Sequence, residues 1–270
     1  MTSHNAAALF CSLLALALLA WVGSAWRRSP YTPAQFLLYL VNTFFTRVLW
    51  RTTVSGRLPV GDGQGAVIVS NHISGIDPLL IQLSTDRIVH WMVAREYHGM
   101  FGISFVFKTL KSIRVNRGGV DTAATKMAIR VARDGGLVGL FPEGRVNTTT
   151  EILLPGRPGA ALIALRARVP VIPCYVAGSP YNGTALGSFF LAAKAHVTIG
   201  KAIDLTPYYD REDRAVLQEL TKLFLREIAS LAGADNYVPQ LAGRFWKPGA
   251  EETLPEAETA GSATSSNSDL

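Results

Sequence analysis

Cysteine is nearly missing from the chain: its 270 residues include only Cys11 and Cys174. Cys11 lies in an uncharged apolar stretch and Cys174 in "VIPCYV", neither beside a second cysteine or a histidine at ligand spacing, so disulfide and zinc readings both fail. No recognition helix, zinc finger or aromatic RNA-binding strand occurs, which removes nucleic acid as an expected partner. The chain also lacks a Gly-x-Ser-x-Gly elbow, the strained turn that exposes a serine nucleophile at the top of a sheet. No internal repeat is visible.

Charge is scarce as well, at 17% of residues, and it is unevenly placed. From Ala6 to Trp26 there is none at all over 21 residues, against the roughly 20 needed to span a bilayer as a helix. Arg27 and Arg28 follow at once. Basic flanks favour the cytoplasmic side, so the sequence predicts a single-pass N-terminal anchor over 1–28 with the bulk of the chain on the cytoplasmic face of a membrane. A cleaved signal peptide is the competing reading, but the stretch lacks a positive n-region and is too long. Net charge is +6; one Lys against five acidic residues from Lys247 onward makes the end of the chain −4 and the remainder +10. A basic body favours a membrane surface and phosphorylated ligands.

What the chain has in quantity is apolar residues, 49% of the total. A second apolar block, Ala34 to Trp50, carries Gln35, Tyr39, Asn42, Thr46 and Arg47 at near-helical spacing, which predicts an amphipathic interfacial helix within 29–53. From Gly65 the pattern changes to short apolar runs, "AVIVS", "IVHWMV", "SIRV", "LVGLF", "VPVIPCYV" and "HVTIG", separated by helical stretches at Thr122–Arg133, "PGAALIALRARV" and Glu212–Leu231. This order predicts an α/β domain over 54–245 with a mostly parallel or mixed central sheet flanked by helices. Beyond it, 246–270 reads as a disordered acidic tail.

The stretch "SNHISGIDPLL" at 70–80 places polar groups where a buried strand hands over to a helix. Asp77 before Pro78 is a strong helix start. His72 needs another explanation, because it falls at the sheet's C-terminal rim, where open α/β sheets place ligands. An imidazole there can accept a proton if a carboxylate holds its tautomer, and the five-residue spacing lets Asp77 return onto the ring.

Three more blocks follow: "RVNRGG" at 114–119, "LFPEGR" at 140–145 and "VPVIP" at 169–173. The four blocks, in this order, resemble the glycerolipid acyltransferase family, specifically the 1-acylglycerol-3-phosphate acyltransferases. The resemblance covers about 66–205. It implies that His72 is the general base and Asp77 its orienter, and that Arg117, Glu143 and Gly144 bind the glycerol phosphate of a lysophospholipid acceptor. It further implies acyl-CoA or acyl carrier protein as acyl donor, no cofactor and no metal. The third block departs from the family's Phe-Pro-Glu-Gly-Thr-Arg-Ser by lacking the Thr and moving the Arg one place earlier, to Arg145. Arg145, and Arg157 in the Gly-rich turn before a helix, are therefore further candidates for the phosphate. Another lysophospholipid or a lyso-aminolipid is the alternative acceptor. The rivals from other classes are a membrane-bound esterase or thioesterase using Ser70 or Ser74, and a non-catalytic lipid-binding protein on the same fold.

Overall fold

In the computed structural model, residues 3–100, 102–116, 121–184 and 187–243 are described. Helix α1 (Ser3–Arg27) contains the one stretch among them long and apolar enough to cross a membrane, Ala7–Arg27. None of it is buried. Helix α2 (Pro33–Phe44) starts where Thr32 and Gln35 form a reciprocal capping box ahead of Pro33, and it runs on into a π-helical turn at Phe45–Leu49.

Seven strands form one sheet: β1 (Thr53–Ser55), β2 (Ala66–Ser70), β3 (Val89–Ala94), β4 (Ile113–Val115), β5 (Leu137–Leu140), β6 (Val171–Ala177) and β7 (His196–Ile199). Their spatial order is β1-β7-β6-β2-β5-β3-β4. Pairing is parallel throughout except where β7 runs antiparallel to β6. The six expected strands are all present. The short edge strand β1 was not foreseen, because three residues give no alternation to read.

Every side chain of β2 is buried, which is why its sequence is a continuous apolar run rather than an alternation. Val67 and Val69 pack on one sheet face with α6 (Thr122–Arg133), α7 (Gly159–Ala167) and α8 (Arg214–Leu231). Ala66 and Ile68 point to the other face, where α3 (Asp77–Ile81), Trp50 and Trp91 cover them. Two short helices, α4 (Arg95–His98) and α5 (Ile103–Thr109), lead from β3 towards β4. Caps Asp121 and Asp213 accept hydrogen bonds from Ala124 N (3.0 Å) and Val216 N (3.0 Å), fixing where α6 and α8 begin.

The amphipathic block is turned the opposite way from a helix on a soluble core. Gln35, Asn42 and Thr46 are buried against the domain, Gln35 Nε2 donating to Thr109 O and Asn42 Nδ2 to Leu79 O. Leu37, Val41, Phe44 and Val48 face outward. His98 is buried against Phe107. The expected tail at 246–270 lies outside the described residues.

Candidate active site

Strand β2 ends at Ser70, between β5 and β6, and the chain must turn sharply to enter α3. Asn71 ties the end of the strand down: its Nδ2 donates to Val176 O (2.8 Å) and its Oδ1 accepts from Val176 N (2.7 Å). A buried amide that uses both donor and acceptor in this way replaces a strand residue's backbone pair. The next residue, His72, is thereby held at the C-terminal rim of the sheet.

Asp77 closes the turn from below. Its Oδ2 accepts from Ile73 N and Ser74 N, both at 2.8 Å, and from His72 Nδ1 at 3.0 Å. It is the first residue of α3 rather than its cap, so its side chain reaches back into the turn instead of forward onto the helix. A carboxylate only accepts, so Nδ1 carries the ring proton and Nε2 is left with its lone pair, the arrangement of a general base and its orienter. The Asp77 side chain is fully buried, while that of His72 is 13% exposed.

Two aromatic residues hold the ring's plane. Phe141, directly after β5, stacks on His72 with centroids 3.8 Å apart and planes 5° apart; Trp91 stacks on Phe141 at 4.9 Å. Gly139 makes room for this column, because a Cβ there would stand 2.7 Å from the Trp91 ring. Neither aromatic was singled out from the sequence, although Phe141 belongs to the quoted "LFPEGR" block.

Glu143 is fully buried, and both of its carboxyl oxygens meet backbone amides. Oε1 accepts from His72 N (2.7 Å) and Oε2 from Leu154 N (2.8 Å), so the carboxyl group clamps the His72 backbone to the loop at 153–157. Burial pushes its pKa up to about 8, against the pull of these two amides towards the ionised form. Asn147 N donates to His72 O (2.6 Å), fastening the same residue from its other side.

Gly144 has φ +70°, and a Cβ there would lie 3.3 Å from Cδ and Nε of Arg157. The Arg157 side chain therefore passes across Gly144, while Arg157 N donates to Pro142 O (2.9 Å). Arg145, partly exposed, follows in the same turn. The structure thus brings His72, Asp77, Glu143, Gly144, Arg145 and Arg157 to one rim of the sheet; Arg117 lies outside the described residues. Ser70 and Ser74 are buried and already committed, Ser70 Oγ to Asn71 Oδ1 (3.2 Å) and Ser74 Oγ to Pro180 O. Among the described residues no group of three or more potential metal ligands occurs.

Residues 51–177 match the family model described as Acyltransferase. The 1-acyl-sn-glycerol-3-phosphate acyltransferase of Bacillus subtilis (strain 168) is 25% identical over 178 residues, covering 66% of this chain and 84% of that protein. The human 1-acyl-sn-glycerol-3-phosphate acyltransferase beta is 31% identical over 147 residues, 53% of this chain and 52% of its own length. The crystal structure of the 1-acyl-sn-glycerophosphate (LPA) acyltransferase PlsC from Thermotoga maritima shares the fold, with a TM-score of 0.56 and 21% identity over 73% of this chain and 81% of that one. The His72–Asp77 turn at the sheet rim thus lies within the stretch, residues 51–177, that matches the Acyltransferase family model, in a chain similar to 1-acyl-sn-glycerol-3-phosphate acyltransferases.

Proposed function

We propose that this protein transfers a fatty acyl group from acyl-CoA or acyl carrier protein to the free hydroxyl of 1-acylglycerol-3-phosphate, giving phosphatidic acid for phospholipid biosynthesis. The observation that carries the reading is the 3.0 Å His72 Nδ1–Asp77 Oδ2 bond, which leaves Nε2 as a base on a ring otherwise fixed by Phe141 and Glu143. The relatives' names supply the substrate class.

In this reaction the acceptor hydroxyl donates its proton to His72 Nε2 as its oxygen attacks the thioester carbonyl. A C–O bond forms, the C–S bond breaks, and the imidazolium returns the proton to the departing thiolate. Asp77 stabilises the imidazolium in between. Bringing both substrates to one rim supplies proximity without a covalent acyl-enzyme. Arg145 and Arg157, with Arg117 by family analogy, provide guanidinium groups for the acceptor phosphate, which they can hold through paired hydrogen bonds. An esterase using Ser70 or Ser74 is disfavoured, because both hydroxyls are buried and hydrogen-bonded elsewhere.

The apolar outer surfaces of α1 and α2 fit a membrane-attached enzyme, and Arg27 and Arg28 at the end of α1 favour placing the catalytic domain on the cytoplasmic face. The deciding experiment is thiol release from palmitoyl-CoA by purified protein, with and without lysophosphatidic acid, beside His72→Ala. Release that requires both acceptor and His72, with phosphatidic acid as product, is expected. Release without acceptor identifies a thioesterase instead, and half the wild-type rate in the variant refutes the mechanism.

A further inference from the structure

The connection from β6 to β7 exposes a large aromatic side chain for which the chemistry above has no use. Phe190, in the 3₁₀ turn Gly187–Phe190, is 80% exposed, Leu191 next to it in sequence is exposed, and so is Tyr181 near the start of the same connection. An isolated surface leucine needs no explanation, whereas a phenylalanine held outward on an anchored turn does.

The turn is anchored at the end of the π-helical segment that follows α2. Phe189 meets Trp50 edge-on at 5.8 Å, Trp50 meets Phe45 at 5.6 Å, and Phe45 meets the exposed Phe44 at 5.8 Å. Ala193 N donates to Leu49 O (3.2 Å), and Arg51 Nε to Ala193 O (3.3 Å). A continuous aromatic path thus joins Phe189 to the outward apolar row Leu37, Val41, Phe44 and Val48. Exposed Arg47, Arg51 and Lys194 flank the junction. An apolar tip within a cationic collar matches an anionic lipid surface, where the ring enters the acyl region and the cations meet headgroups.

The other end of this connection touches the catalytic turn, since Ser74 Oγ donates to Pro180 O. We infer that the turn at 187–191 is a second lipid contact, distinct from α1 and α2, that seats the mouth of the His72 site on an anionic leaflet. The inference rests on the proposed reading of the site, from which it takes the lipid acceptor, but its first test does not depend on turnover.

Full-length protein carrying Cys11→Ser, in which Cys174 is fully buried and unreactive, receives Phe190→Cys or the control Val238→Cys, 79% exposed elsewhere. Each is labelled with an environment-sensitive fluorophore and bound to vesicles of equal parts phosphatidylcholine and phosphatidylglycerol. Blue-shifted emission and quenching by spin-labelled lipid at position 190, with a water-like probe at 238, is the expected result. A water-like probe at 190 on vesicles that retain the protein overturns the inference. So does a shift that follows protein density without spin-label quenching, which identifies a second copy as the occupant. In turnover, Phe190→Ser should raise the KM for vesicle-borne lysophosphatidic acid at least about threefold while leaving that for a short-chain, water-soluble acceptor unchanged. An equal effect on both substrates also overturns it.

Discussion

Replacing Glu143 by glutamine tests whether the buried carboxyl group supports the base. The change is nearly isosteric, but an amide nitrogen has no lone pair to offer, so either His72 N or Leu154 N loses its acceptor. Leaving one buried N–H unsatisfied costs about 1–3 kcal/mol. For a domain of this size that lowers Tm by about 2–12 °C. If about 2 kcal/mol of it is felt as lost positioning of His72, kcat falls about 30-fold. The pH dependence carries a sign. Burial raises the folded-state pKa of Glu143 from 4.5 to about 8, so the folded protein holds a proton that the unfolded chain releases between those values. This contribution is present below about pH 4.5 and lost as pH rises through about 8, with a slope of at most about 1.4 kcal/mol per pH unit. The variant lacks this titration. Thermal melts of both proteins from acid to pH 9 should therefore show the wild type's advantage shrinking as pH rises. A constant or widening gap, or full activity in the variant, refutes the reasoning.

Asp77→Asn should lower kcat by about 10²–10⁴ with little change in KM, because an amide can donate to Nδ1 and so favour the wrong tautomer; steady-state kinetics on folded variant would show otherwise if kcat stayed within a factor of three or so. Gly139→Ala places a Cβ 2.7 Å from the Trp91 ring, and the resulting overpacking is expected to cost about 1–3 kcal/mol in denaturant melts and to reduce turnover through the stacked column. Arg157→Ala should raise the KM for a phosphate-bearing acceptor about tenfold while sparing the KM for palmitoyl-CoA, and equal effects on both would take away its assigned role.

The fold was legible from continuous apolar runs and breakers: the parallel centre of the sheet, α6 and the turn from His72 to Asp77 all follow from patterns in β2 and its neighbours. Other features were not, for identifiable reasons. β1 is three residues long, with too little pattern to detect. The inward direction of Gln35, Asn42 and Thr46 cannot be read from spacing, which gives the faces of a helix but not which one meets protein. The role of Glu143 was obscured because a carboxylate in a binding motif looks the same in sequence whether it meets substrate or backbone. Phe141 was missed because an aromatic residue beside a strand is ordinarily core. Its value emerges only when β5 and β2 lie side by side.

The aromatic column has a consequence for regiochemistry. A ring pressed flat against Phe141 at 3.8 Å, with its other nitrogen bonded to Asp77, has no freedom to swivel. The direction in which Nε2 looks is therefore constant, and in the proposed reaction an acceptor with more than one hydroxyl would be sorted by how deep each one sits when its phosphate and acyl chain are seated, rather than by any movement of the base.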